Sequence, residues 1–197
     1  MDMPDVIDAL AGILPGSPLD AIRARRPQAR AQAQATHDAL FAPADPGEVS
    51  LVERLAVAAF VIGLHGEPEV TAFHAAALAG AGAPPTLQAA VAEAAAAGRT
   101  AGPFGHYPAG PLSREDAAGQ GWQAGAVLAE TLGPRLAAAF GHAHMLVFHP
   151  RDADAVSLQA LLDAGWSTTG IVTLSQIVAF LSFQVRTIRG LATLAAS

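Results

Sequence analysis

The chain reads as an all-α, multi-helix bundle, and three observations predict this. Alanine supplies much of the 52% hydrophobic fraction, and alanine has the highest helix propensity of any residue. The β-branched and aromatic residues that mark strands alternate nowhere over a useful length. Capping signatures and proline–glycine breaks recur along the chain and divide it into helix-sized segments. A chain of 197 residues buries about 70% of its unfolded surface when it folds as one unit. The expectation is a single all-helical domain over 1–197, with an N-terminal arm (1–47), a central helical hairpin (50–80) and a C-terminal helical hairpin (134–195).

Each element has its own signal. Residues 4–14 form a short helix closed by Pro15-Gly16, after which Ser17-Pro18 caps and opens the next. Pro27 interrupts that pattern and gives either a kink or two abutting helices, the later one running to Phe41. Residues 42–47 are a loop. Ser50 followed by Glu53 is a reciprocal capping pair that satisfies two orphan amides. In the helix it opens, Leu55, Ala58, Ala59 and Ile62 recur at helical spacing, and Val52, Val57, Phe60, Val61 and Leu64 fill most of what remains. Such a helix is buried on nearly every side. Gly66 suits a left-handed C-terminal cap and Pro68 the first turn of the following helix, where Glu67 and Glu69 complement the positive helix end.

Farther on, Thr86 caps a weakly amphipathic, peripheral helix that ends near Ala97 at Gly98. Residues 99–112 are rich in proline and glycine and carry Phe104, His106 and Tyr107, so this long irregular segment covers either a pocket mouth or an edge of the core. Ser113 with Asp116 repeats the capping signature and opens a helix toward Leu132, and Gly133-Pro134 resets the chain. Helices over 134–148, 155–164 and 167–195 complete the pattern, with Gly165 as the stop before the last.

Composition excludes several classes. The net charge of −6 comes with eleven arginines and no lysine, which argues against nucleic acid as a partner. The group Arg23, Arg25, Arg26 and Arg30 is a solvated face or an oligomer contact. With no cysteine, disulfides, thiolate metal sites and cysteine-based peroxidase chemistry are impossible. The acidic N-terminus lacks a basic region before its apolar stretch, so no signal peptide and a cytoplasmic location are expected. The apolar run 171–185 is broken by Thr173, Ser175, Gln176, Ser182 and Gln184 and is short for a bilayer of about 30 Å. It is expected to be buried in protein, with no membrane partner.

Three groups of residues carry possible chemistry. His74 and Glu67 lie seven positions apart on one helix face, about 10 Å along the axis. They relay a proton through a substrate or water, or they are a core histidine and a helix-end carboxylate. His142 and His149 share a helix face while His144 projects about 200° away from His142, so the three cannot ligate one ion without a break in the helix near Phe148 and no metal is expected there, unless His37 or His74 completes a site. The polar residues of the last helix, Gln176, Gln184 and Arg186 among them, form a network or face a cavity, and in the second case Gln176 and Gln184 would join His74. His65, at the turn, is expected to be exposed.

The hairpin sequence SLVERLAVAAFVIGLHGEPEVTAFHAAALA, with His74 followed by Leu78, resembles the active-site hairpin of the alkylhydroperoxidase-D-like / carboxymuconolactone decarboxylase superfamily. The C-terminal segment LQALLDAGWSTTGIVTLSQIVAFLSFQVRTIRGL resembles the last helices of its double-length, peroxidase-related members. Redox members carry Cys-x2-Cys followed by x3-His, with a glutamate on the preceding helix. Setting the family histidine on His74 places the cysteines at Glu67 and Val70 and the glutamate at Leu55, so only the histidine survives. The resemblance implies a bundle of the alkylhydroperoxidase-D-like type, self-association into a homo-oligomer, a small-molecule ligand, and no cofactor. Two functions follow as expectations. One is a catalytically degenerate scaffold or binding protein. The other is a non-redox enzyme using His74 for acid-base chemistry on a small carbonyl or lactone-like substrate.

Overall fold

Capping chemistry sets the helix starts in the computed structural model, which describes residues 5–195. Asp5 accepts from the Asp8 amide to open Val6–Leu10 (α1), and Ser17 accepts from Asp20 to open Pro18–Ala24 (α2). Proline in the first turn starts Pro27–Phe41 (α3). Ser50 and Glu53 form the expected reciprocal box at the head of Leu51–His65 (α4), and Gly66 ends it in the left-handed conformation at φ 73°. Pro68–Gly80 (α5) and Pro85–Gly98 (α6) follow, each with proline in its first turn. Ala126–Phe148 (α7), Ala155–Asp163 (α8), which Asp154 caps, and Thr168–Ala195 (α9) complete the order. The fold is all-α: among the described residues there is no strand, and one isolated bridge pairs Gly105 with Ala117.

Burial follows from the pattern of α4. Every residue from Arg54 to Leu64 is buried, because α5, α6, α7 and α9 surround the helix. Phe60 stacks flat on Phe140 of α7 with ring centroids 4.2 Å apart, and Trp122 packs against it, tilted, at 5.4 Å. Small residues let α6 approach as closely: a Cβ on Gly63 would stand 2.6 Å from the Ala95 Cβ. Arg99, just past α6, donates twice to the Gly63 carbonyl near the end of α4. The outer helices pack on α9, α1 and α3 along one part of it and α8 on another.

Charged groups hold the periphery together. Arg23 bridges Asp5 and Asp8, and Arg30 pairs with Asp8 and Asp20, so two of the four clustered arginines tie α1, α2 and α3 into one unit. Arg135 pairs with Glu53 at 2.8 Å and lies over the Trp166 ring at 4.4 Å, joining the head of α4 to the α8–α9 turn.

Several expectations are corrected. The first helix ends at Leu10, well short of residue 14, because Gly12 takes φ +65° and the Ile13 amide turns back to Asp8; the expected start, Pro4, lies outside the described residues. Thr86 is not a cap, since α6 begins at Pro85, and α6 is not peripheral: its Ala90, Val91, Ala94 and Ala95 are buried. No helix runs from Ser113 to Leu132. Ser113 sits in a short 3₁₀ turn, Pro111–Glu115, and Asp116 accepts from the Tyr107 amide inside the loop. The chain stays irregular to Gly125; α7 then has two helical segments, because Gly133 breaks the helix with φ 75° and ψ 162° and Pro134 restarts it, the reset expected at Gly133-Pro134. The final helix has the length expected, and α9, at 28 residues, is long and apolar enough to cross a membrane by length and composition alone, although half of its most apolar stretch is buried inside the protein.

Candidate functional site

The α5 helix presents a single buried stripe, Val70, His74 and Leu78, spaced four residues apart toward the core. His74 therefore enters the protein beneath Phe73 and against Phe41 of α3, whose rings meet it edge-on at 5.1 and 5.7 Å. His37, one turn before Phe41, lies beyond the same rings and packs on Phe41 at 5.3 Å. From α9, Gln184 faces the imidazole with its amide.

Both of these polar side chains are inaccessible, His74 at 1% and Gln184 at 0% exposure. Gln184 is near enough to favour the protonated ring, yet neither group completes a well-formed hydrogen bond, and both ring nitrogens and both amide atoms have no partner. Burial, reinforced by His37 nearby, pushes the His74 pKa down to about 4. The imidazole is thus neutral at pH 7. A cavity of about 300 Å³ opens beside it, lined chiefly by Phe41, Leu51, Leu55, Phe73 and Ala77, with His37 and His74 as its polar groups.

The structure separates Glu67 from this cavity. Glu67 precedes α5 as its cap residue and pairs with Arg189 at 3.4 Å, lining a different depression with Leu10 and Ile188. Val70 is buried one turn before His74, and Leu55 lines the His74 cavity itself. Gln176 does not join Gln184: it lines a shallow groove against α3 with Gln32 and Thr36.

The remaining histidines are dispersed in role. His144 and His149, expected on different faces, come within 6.1 Å because His149 has left the helix as its C-cap. His149 is held by Asp152 at 3.0 Å and the Gln120 carbonyl at 3.1 Å, and His144 by the Gly98 carbonyl at 3.0 Å. His142 is buried without a partner, and among the described residues no group of three histidine or carboxylate side chains is arranged to hold a metal ion. His65 is half-buried, not exposed, with its Nε2 at 3.3 Å from the Ser182 hydroxyl. It borders a second, larger cavity of about 740 Å³ between α4, α7 and α9, and Thr100, Gly102 and Pro103 of the irregular segment line part of its wall.

Sequence reasoning missed one residue that matters for architecture. Arg54, an unremarkable position within an apolar helix, is buried and donates to the carbonyls of Leu40, Pro46 and Val49. An arginine flanked by apolar residues on an otherwise wholly buried helix is itself the signal, since a buried guanidinium requires acceptors. Compared with known proteins, the chain matches no family model, no curated protein and no solved structure.

Proposed function

We propose that the chain is a small-molecule-binding protein on an alkylhydroperoxidase-D-like scaffold, and that the His74 cavity is its binding site. The observation that carries this reading is His74, whose two ring nitrogens are buried without partners beside an apolar cavity of about 300 Å³. Leaving such atoms unpaired is unfavourable in a purely structural core, by about 1–3 kcal/mol per group. A bound oxygen atom relieves it. The shape and lining suit a molecule with a hydrocarbon body and one carbonyl or hydroxyl oxygen, the class to which small lactones and cyclic ketones belong.

The family resemblance gains support from position. Leu55, at the place of the family glutamate, shares the cavity with His74, and Val70, at the place of the second cysteine, is buried one turn before it, whereas Glu67, at the place of the first, caps α5 away from the cavity. The chemistry at those places is no longer redox chemistry. Binding is favoured over acid-base catalysis because a base of pKa about 4 is weak at neutral pH, far from the value that makes general-base catalysis efficient. Self-association belongs to the same reading, with exposed Val127, Val156, Val172 and Phe183 offering apolar surface to a second copy.

A thermal-shift panel of small lactones and cyclic ketones at pH 7 tests the proposal. Stabilisation by members of the panel that is lost in His74→Ala supports it. A panel that leaves the melting temperature unmoved, or that shifts both proteins alike, removes the site.

A further inference from the structure

The 740 Å³ cavity carries a chemistry of its own, independent of His74. Four hydroxyl residues of α9, Thr173, Ser175, Thr187 and Thr193, spend their hydroxyls on the carbonyl one turn earlier. That is the default for serine and threonine inside a helix. Ser182 departs from it. Its hydroxyl lies 3.3 Å from His65 Nε2, across the cavity wall from α4 to α9.

One turn farther along α9, Arg186 stands at the cavity edge with Nη1 donating to the Ser182 carbonyl at 2.8 Å. It has no carboxylate partner among the described residues, whereas Arg23, Arg30, Arg135 and Arg189 all do. No acidic residue lines the cavity. Burial, and then the nearby guanidinium, hold the His65 pKa at about 4, so the site has a single positive charge at neutral pH. Leu64, Leu146, Phe148 and Val178 supply an apolar interior.

We propose that this cavity binds a small organic monocarboxylate, with its carboxylate between Arg186 and Ser182 and its hydrocarbon body against Leu64, Leu146, Phe148 and Val178. One guanidinium and one hydroxyl balance one negative charge; a phosphate dianion would be left half-neutralised on an apolar floor. With its proton on Nε2, His65 donates to the Ser182 oxygen, which leaves the hydroxyl hydrogen free to point at the carboxylate. The volume lies within the range of sites that enclose a whole small ligand, about 300–1,000 Å³.

Isothermal titration with sodium octanoate at pH 7, beside its neutral counterpart octanamide, tests this. Saturable octanoate binding is expected, at least tenfold tighter than octanamide. Arg186→Gln, an exposed position where substitution leaves the fold alone, should erase that preference, and Ser182→Ala should weaken octanoate several-fold. Repeating the titrations with excess γ-octalactone, the probe of the His74 cavity, should leave the octanoate preference unchanged, so the two sites stand or fall separately. Equal affinity for octanoate and octanamide, an Arg186→Gln protein that still prefers the carboxylate, or absence of saturable binding would each overturn the proposal.

Discussion

Two of the places where this molecule buries polar side chains on core helices treat them in opposite ways. At the head of α4, Arg54 is enclosed with three carbonyl oxygens as acceptors, and Glu53 beside it is satisfied by Ser50 and Arg135. Between α5 and α9, His74 and Gln184 are enclosed with no completed hydrogen bond. The first arrangement is what a buried charge requires if it is to stabilise a fold. The second stabilises nothing unless something else enters. At His74 the missing partners coincide with a cavity, and that conjunction, more than burial, sets it apart from Arg54.

The contrast predicts where substitutions will be felt. The largest effect belongs to Arg54→Met, which breaks the buried contacts to the Leu40 and Val49 carbonyls and the part-buried one to Pro46, and should destabilise the protein by on the order of 3 kcal/mol. Denaturant unfolding will show this as a midpoint shift at constant slope. A near-wild-type midpoint would mean that the loop carbonyls find water, and would dissolve the distinction.

Acid sharpens the comparison from the other side. His74 is neutral in the folded protein down to about pH 4, while the unfolded imidazole takes up a proton near its ordinary value of about 6.5. The unfolded state therefore binds more protons as pH falls, and stability is lost between roughly pH 6.5 and 4, by on the order of 3 kcal/mol from this group. The double variant His74→Leu, Gln184→Leu should lose correspondingly less over the same window in parallel unfolding curves. Identical pH slopes for the two proteins would show that the folded imidazole protonates normally.

The smallest effect is the same double variant at pH 7. Replacing both members of an unpaired polar contact with apolar groups of similar size removes no hydrogen bond, so its stability should stay within about 1 kcal/mol of wild type, or rise. A large loss in thermal unfolding would reveal a structural role for the pair.

Which parts of this were legible in the sequence depends on range. The α4–α5 hairpin is written in local chemistry: Ser50 with Glu53, Gly66 and Pro68 act within a turn of themselves, and each does in the structure what its position suggests. Ser113 and Asp116 show the limit of the same logic. Their spacing imitates a helix cap, but Ser113 accepts from Gly110 and Asp116 from Tyr107, both within the irregular segment. The burial of α6 was hidden because alanines look weakly amphipathic, although their small size is what lets Ala95 fit against Gly63. At the site, His74 was legible as an isolated histidine on an apolar face. That Gln184 would meet it, that Gln176 would not, and that His65 would be covered by Ser182 depend on how α9 folds back over the hairpin, which no local spacing encodes.

The most direct measurement is on the His74 ring itself. With ¹⁵N-labelled histidine, the ring-nitrogen resonances of His74 can be followed at pH 7 during titration with γ-octalactone, His74→Ala serving to assign them. The free protein should show a neutral imidazole, and saturation should move one ring nitrogen in the direction of a new hydrogen bond while His142 and His144 stay in place. A charged ring in the free protein, or lactone binding that leaves both His74 nitrogens unmoved, would contradict the assignment of this cavity as the binding site.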